Sequence, residues 1–373
     1  MTSDCFLSYE TRYKVQEMTL NSNELREPAC PLPITEKKTV QLAHGGGGRL
    51  MQQLIRDVFV RSFGDPLSTH LHDGATWPVS EGTLAFTTDS YVVQPLFFPG
   101  GDIGSLAIHG TVNDLAMCGA APLWLSAGFI LEEGLSIETL QRIVDSMAQA
   151  AKEAGVEIVT GDTKVVDKGK GDGIFINTAG IGVVPPGVQI GPQRVVPGDA
   201  ILVSGDLGSH GVAVLSVREG LSFAGNIVSD SAPLHRVVAD LIAAGIEIHC
   251  LRDLTRGGLA SALNEIASAS GTTLSIDERA IPVQNEVQGA CELLGLDPLY
   301  VANEGRFVAF VPRADAERAL TVMRHHAVAR KASLAGEVGS IGSRGSSPVV
   351  LKTVLGTHRI LDLLSGEQLP RIC

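Results

Sequence analysis

One short span rich in proline and glycine divides this 373-residue chain. Pro185-Pro186-Gly187, Gly191-Pro192 and Pro197-Gly198 leave no room there for a continuing helix or strand. On both sides, strand-like runs alternate with amphipathic helical runs, a pattern that predicts an α/β or α+β fold in each half. Before the break, Thr83 to Thr88, Leu123 to Leu131, Val156 to Thr160 and Ile174 to Val184 read as strands. Asp102 is placed to cap a helix through Met117, closed by Gly119. Ser136 caps another, with Ile137, Leu140, Ile143, Val144, Met147 and Ala151 on one stripe and Gly155 as its stop. Beyond the break, strands are expected at 200–204, 246–251, 273–277, 307–311 and 334–338, and helices at 233–244, 257–269, 284–294 and 314–325. The expected organisation is a flexible leader over 1–39, an N-terminal domain over 40–186, a C-terminal α/β domain over 187–355, and a mobile tail over 356–373. The leader is polar and aperiodic, with Pro28, Pro31 and Pro33 close together.

Charge and cysteine usage narrow the function. A net charge of -12 argues against a nucleic-acid footprint. No apolar run reaches the roughly 18 residues of a membrane helix. Cys5, Cys30, Cys118, Cys250, Cys291 and Cys373 include no CxxC pair and are too sparse for a disulfide scaffold, which suits a reducing, cytoplasmic setting. Cys118 and Cys250, inside apolar runs, are expected to be buried and inert.

Three groups of residues carry chemistry. Gly45, Gly46, Gly47 and Gly48 precede a helical pattern, so their backbone N–H groups could cradle phosphate. No Gly-Lys-Ser/Thr follows, so the run is not a Walker A loop. Asp89, Asp162 and Asp253 end or follow strand-like runs, and Asn113-Asp114 lies on a helix. Singly, such aspartates are turn formers or caps; together they suit a magnesium–phosphate site. Lys164 is two residues from Asp162, and Glu304, in Asn303-Glu304-Gly305, opens an apolar strand where desolvation would make it a base. The chain ends Pro370-Arg371-Ile372-Cys373, an extended arm bearing a nucleophilic thiol. His70-Leu71-His72 and His325-His326 read as a polar loop and a helix end.

The segments Leu42-Ala43-His44-Gly45, Thr87-Thr88-Asp89-Ser90, Gly110-Thr111-Val112-Asn113-Asp114-Leu115-Ala116, Gly161-Asp162-Thr163-Lys164, Asp253-Leu254-Thr255-Arg256-Gly257-Gly258 and Asn303-Glu304-Gly305 resemble the aminoimidazole-ribonucleotide-synthase-like superfamily of ATP-dependent enzymes. The terminal tetrapeptide narrows the resemblance to the carbamoyl dehydratase family of nickel–iron hydrogenase maturation. The resemblance covers roughly residues 40–373. It implies an N-terminal domain whose strands build a β-barrel in a homodimer, a C-terminal α/β domain against it, and ATP between the two. It implies that a carbamoyltransferase, HypF, places a carboxamide on the Cys373 sulfur. ATP-dependent dehydration then gives a thiocyanate, and cyanide passes to iron on a HypC–HypD scaffold. The implied roles are magnesium binding for Asp89, Asp114 and Asp253, and nucleotide contacts for Gly45 to Gly48, Asn113, Asp162 and Thr255. Lys164 and Glu304 would handle proton transfer or orient the carboxamide. Gly46 departs from the family pattern, which carries serine there. Two other readings stay open at this point: a synthase or kinase acting on a free small molecule, and a scaffold presenting a C-terminal docking peptide.

Overall fold

The computed structural model describes residues 48–54, 56, 75–79, 82–221, 223, 225–341, 349–363 and 371–373. The leader over 1–39, Gly45 to Gly47 and His70-Leu71-His72 lie outside the described residues. Gly48 is buried, and its carbonyl accepts the Gln52 amide at 3.1 Å, opening helix α1 (Arg49–Leu54).

The first sheet runs β1-β2-β7-β5-β6: Ala75–Val79, Gly82–Tyr91, Ile174–Val184, Ala121–Glu132 and Glu157–Val166. Its pairs are antiparallel except β5 and β6, which are joined in parallel through helix α3 (Ile137–Ala154). β7 alternates buried and more exposed positions along its whole length, as a strand with one covered face must. The cover is helix α2 (Ile103–Met117), which packs on β2, β7 and α3. Phe97–Phe98 (β3) and Gly101–Asp102 (β4) form a small ribbon before it. Asp102 caps α2 by accepting from Gly104 N at 2.7 Å and Ser105 N at 3.1 Å. Ser136 accepts from Thr139 N at 3.0 Å, and Gly155 closes α3 in the left-handed region at φ 71°. On α3 the expected stripe holds at Ile143, Met147 and Ala151, while Ile137 and Val144 are exposed.

The second sheet runs β14-β13-β10-β12-β8-β11-β9, from His358–Ile360 through Val349–Lys352, Thr272–Asp277, Ser333–Ile341, Asp199–Val203 and Phe307–Pro312 to Cys250–Asp253. Every residue of β8 is buried, so both faces are covered. Ile201, Val203, Val308 and Phe310 face helix α6 (Gly258–Ser270). Ala200, Leu202, Phe307 and Ala309 face helices α5 (His235–Ala243) and α8 (Ala316–His325). Helix α4 (Ser209–Arg218) follows β8, and α7 (Asn285–Leu294) packs against α4. Ala116 and Met117, at the end of α2, enter the α5–α8 core and tie the two sheets together.

Some expected boundaries move. The strand placed at 156–160 continues to Val166, so Asp162 and Lys164 lie within it. The strand expected from 246 begins at Cys250. Past residue 356 the chain is still in the sheet: His358–Ile360 pairs with β13, and Leu361 is fully buried. Cys118 and Cys250 are buried, as their apolar surroundings predict.

Candidate active site

The C-terminal tripeptide is built into the molecule. Val92 N donates to a terminal carboxylate oxygen of Cys373 at 3.1 Å and Gln94 N to the Arg371 carbonyl at 3.2 Å, just beyond β2. Arg218 of α4 donates to the Arg371 carbonyl at 2.6 Å, and the Arg371 guanidinium pairs with Asp172 at 2.6 Å. His210 Nε2 lies 2.8 Å from the Ile372 carbonyl oxygen. Ile372 is 3% exposed and joins the core between α2, α3 and the first sheet. These contacts offset the cost of Arg371 at φ 55°, a left-handed conformation unusual for a side chain of its size.

Cys373 is thereby half-buried in a charged neighbourhood. Burial pushes its thiol far above the ordinary range, Arg256 opposes that shift, and Glu304, Asp89 and Asp253 add to it. Asp89 comes from β2, Asp253 from the end of β9, Arg256 from the turn into α6, and Glu304 from the loop before β11. Gly257 and Gly258, at φ 80° and 59°, make the turn that carries Arg256. The Arg256 guanidinium is held firmly protonated, chiefly by Cys373 and then by Asp89, Glu304 and Tyr91, although burial pulls the other way.

Glu304 is 3% exposed, and its Oε1 has no hydrogen-bond partner. Burial raises its carboxyl well above the usual carboxylate range; Asp253, Asp89 and Asp230 raise it further, and Arg256 opposes. The loop is placed from three directions. Glu304 N donates to Asp230 Oδ1 at 3.1 Å, Asn113 Nδ2 to the Glu304 carbonyl at 3.3 Å, and a Cβ on Gly305 would stand 1.9 Å from the Asp230 carbonyl oxygen. Asn303, fully buried, accepts from Gly208 N at 2.7 Å and donates to Leu254 O and Val301 O at 3.0 Å each.

The residues singled out from sequence therefore divide. Cys373, Glu304, Asp89 and Asp253 share one neighbourhood. Asp114 accepts from Thr87 Oγ1 at 2.7 Å and acts electrostatically on Tyr91, beside them. Thr255 is half-buried in the turn before α6, its carbonyl accepting from Gly258 N at 2.9 Å. Asn113, expected at the nucleotide, has its amide committed to main chain instead: Ala232 O, Glu304 O and Leu234 N. Lys164 and Asp162 stand exposed on the outer strand β6, paired with each other at 2.6 Å. Among the described residues, no group of three or more His, Cys, Asp or Glu side chains is arranged to hold a metal by itself. The expected ligand set of Asp89, Asp114 and Asp253 is thus not a preassembled cage.

Several residues went unassigned in the sequence. Arg256 lies within a quoted motif, yet a lone arginine carries no sign that it will be buried among carboxylates. Asp230 and Asp206 bracket Arg306, at 3.7 and 2.8 Å, beneath Glu304. The one available signal for His210 was its Gly208-Ser209-His210-Gly211 context just after a buried strand.

Residues 71–184 match the family model of the AIR synthase related protein N-terminal domain, and residues 196–344 that of its C-terminal domain. The chain is 55% identical to carbamoyl dehydratase HypE of Azotobacter vinelandii over 335 residues, which cover 90% of this chain and 97% of that one. The chain belongs to the HypE carbamoyl dehydratase family. HypE of Escherichia coli strain K12 is 48% identical, with 90% and 99% covered. Among solved structures, a hydrogenase maturation protein HypE in complex with ATP superposes with a TM-score of 0.76 at 52% identity, covering 90% of this chain and all of that one. The HypE–HypF complex gives 0.79 at 48% identity, covering 83% and 99%. A ThiL structure complexed with AMPPCP and TMP gives 0.62 at 19% identity and shares the fold alone. Membership of the HypE family agrees with the α/β architecture expected from sequence.

Proposed function

We propose that this chain dehydrates a carboxamide carried on its own Cys373 sulfur to a thiocyanate, using ATP, in hydrogenase maturation. The observation that carries this reading is the docking of the Cys373 tail beside Arg256, Glu304, Asp89 and Asp253. A free small-molecule substrate would leave that contact without purpose.

The reaction balances as follows. The carboxamide oxygen takes the γ-phosphoryl group, ADP departs, and nitrogen loses one proton. Phosphate then leaves with the former amide oxygen, the second N–H proton is removed, and the carbon–nitrogen triple bond remains. Phosphorylation is needed because an amide oxygen is otherwise a poor leaving group. Glu304 is the better candidate for accepting the proton next to Cys373, because within one chain Lys164 is ion-paired on the exposed strand. Arg256 faces the charge that develops on the departing phosphate. Tethering replaces a diffusional encounter and keeps the reactive intermediate from escaping.

Magnesium fits the donor set, which is all oxygen: Asp89, Asp114 and Asp253. Because these do not form a complete cage, the nucleotide phosphates would supply further ligands. When bound, the ion would neutralise charge on the transferring phosphoryl group. The backbone N–H groups of Gly45 to Gly48 and the Thr255 turn are the proposed phosphate contacts.

HypF is the proposed carbamoyl donor and the HypC–HypD scaffold the proposed acceptor. A homodimer is supported by the uncovered face of the first sheet, where paired Phe86, Ile181 and Trp124 are 40%, 37% and 48% exposed. Two such faces packed together would make the expected barrel.

The test is a mass measurement on the S-carbamoylated chain. With ATP it should lose one water while ADP and phosphate appear; ATP consumption at constant mass would refute the reading.

A further inference from the structure

Among the described residues, four polar contacts hold the main chain of the terminal tripeptide, and one comes from a fully buried side chain. Val92 N, Gln94 N and the half-exposed Arg218 supply three; His210 supplies the fourth. A carbonyl can only accept, so His210 Nε2 carries the proton that reaches Ile372 O. Nδ1, 2.8 Å from Ser229 Oγ, must then accept from the serine hydroxyl. Ser229 is itself pinned: its Oγ accepts from Ser231 N at 3.1 Å, and its N–H donates to Pro99 O at 2.7 Å. Phe98 stands edge-on to the imidazole, 5.4 Å between centroids at 89°. Gly100, at φ 91°, lets this loop pass; a Cβ there would lie 2.8 Å from Ser229 N. Ser229 and Phe98 thus hold the ring in one orientation, and the docked tail fixes its tautomer.

We propose that His210 is a positioning residue for the dehydration step: by fixing the Ile372 carbonyl, it sets where the Cys373 sulfur stands against Glu304 and Arg256. The inference rests on the tethered dehydratase reading and adds a residue to it. Its chemistry suits the task. Burial keeps the imidazole below its ordinary pKa and neutral, against the opposing pull of Asp230 and the Ile372 carbonyl. The donor is therefore a single directed N–H that adds no charge to a site already crowded with carboxylates. Because the contact is to main chain one residue before the sulfur, it is the same whether Cys373 is free or carries a carboxamide.

The experiment compares full-length wild type, His210→Leu, His210→Gln and Ser229→Ala. Single-turnover loss of water is measured after carbamoylation, together with the ATP concentration giving half-maximal rate. Iodoacetamide labelling of Cys373 in the uncarbamoylated chains is followed by peptide mass spectrometry. His210→Leu should slow dehydration roughly tenfold at saturating ATP and speed Cys373 labelling by a similar factor, the value of about one buried hydrogen bond. The half-maximal ATP concentration should not change. His210→Gln, whose amide nitrogen reaches toward the same carbonyl, should recover part of both effects. Unchanged dehydration and unchanged labelling in His210→Leu would overturn the proposal. If that variant does not fold, Ser229→Ala decides, since a freed Nδ1 competes for the ring proton: it must move both readouts the same way, and no movement overturns the proposal. Failure of the wild type to lose water is a different result; it refutes the dehydratase reading and leaves the labelling comparison to judge the docking role.

Discussion

The amide of Asn113, on α2, donates to the main-chain carbonyl of Glu304 at 3.3 Å across 191 residues of sequence. The same nitrogen reaches Ala232 O at 3.1 Å, and the amide oxygen accepts from Leu234 N at 2.7 Å. One side chain of the first α/β layer therefore holds the loop that carries the proposed base. Asn113→Ala should lower stability by about 2 kcal/mol, because buried main-chain groups lose their partner. It should also slow dehydration at unchanged ATP affinity. Chemical denaturation and single-turnover rates check the two halves; normal turnover in a destabilised variant would remove the positioning role.

Glu304→Gln keeps the shape of the side chain and removes its basicity. Dehydration should fall by on the order of a hundredfold or more, with nucleotide binding retained. Near-normal water loss in this variant would transfer the proton step to another group.

The pH dependence follows from the raised Glu304 carboxyl. In single turnover the rate should climb with pH through the region above the ordinary carboxylate range, as the basic form fills, and Glu304→Gln should lack that limb. Stability runs the other way. Glu304 favours folding fully below its unfolded value of 4.5, and that contribution is lost as pH rises toward the raised folded value. Thermal melts of Glu304→Gln and wild type should therefore diverge in favour of the variant as pH rises above 4.5.

Arg371 pairs with Asp172 at 2.6 Å with both side chains partly exposed. Arg371→Ala should change global stability by under about 1 kcal/mol. It should nevertheless raise Cys373 alkylation several-fold, since the contact acts on the tail alone. Equal labelling rates would show that the main-chain hydrogen bonds suffice.

Phe86, Ile181 and Trp124 expose a contiguous apolar surface on the first sheet. Trp124→Glu combined with Phe86→Glu should convert the proposed homodimer to a monomer in sedimentation experiments while secondary structure persists. An unchanged sedimentation coefficient would place any dimer contact elsewhere.

Helices α2 and α3 are legible in the sequence because their signals are local. Asp102 and Ser136 sit directly before the first turn, and Gly119 and Gly155 directly after the last. Helix α4 is not, because Ser209 to Val214 are all buried and show no polar face. Strand β6 runs past Gly161 because its backbone pairs with β5 there: a Cβ on Gly161 would stand 2.3 Å from the Ala127 carbonyl oxygen. Local propensity reads that glycine as a stop.

Local chemistry settled the α/β alternation, the caps and the unusual cysteine at the end, since each depends on neighbours within a few residues. Tertiary structure alone decided that Asn113 serves Glu304, that Arg256 and Glu304 meet Cys373, and that His210 grips Ile372. Those relationships join residues as many as 191 apart. Hydrogen-bond direction and burial at such points exist only once both sheets and the tail have packed, and no periodicity along the chain encodes them.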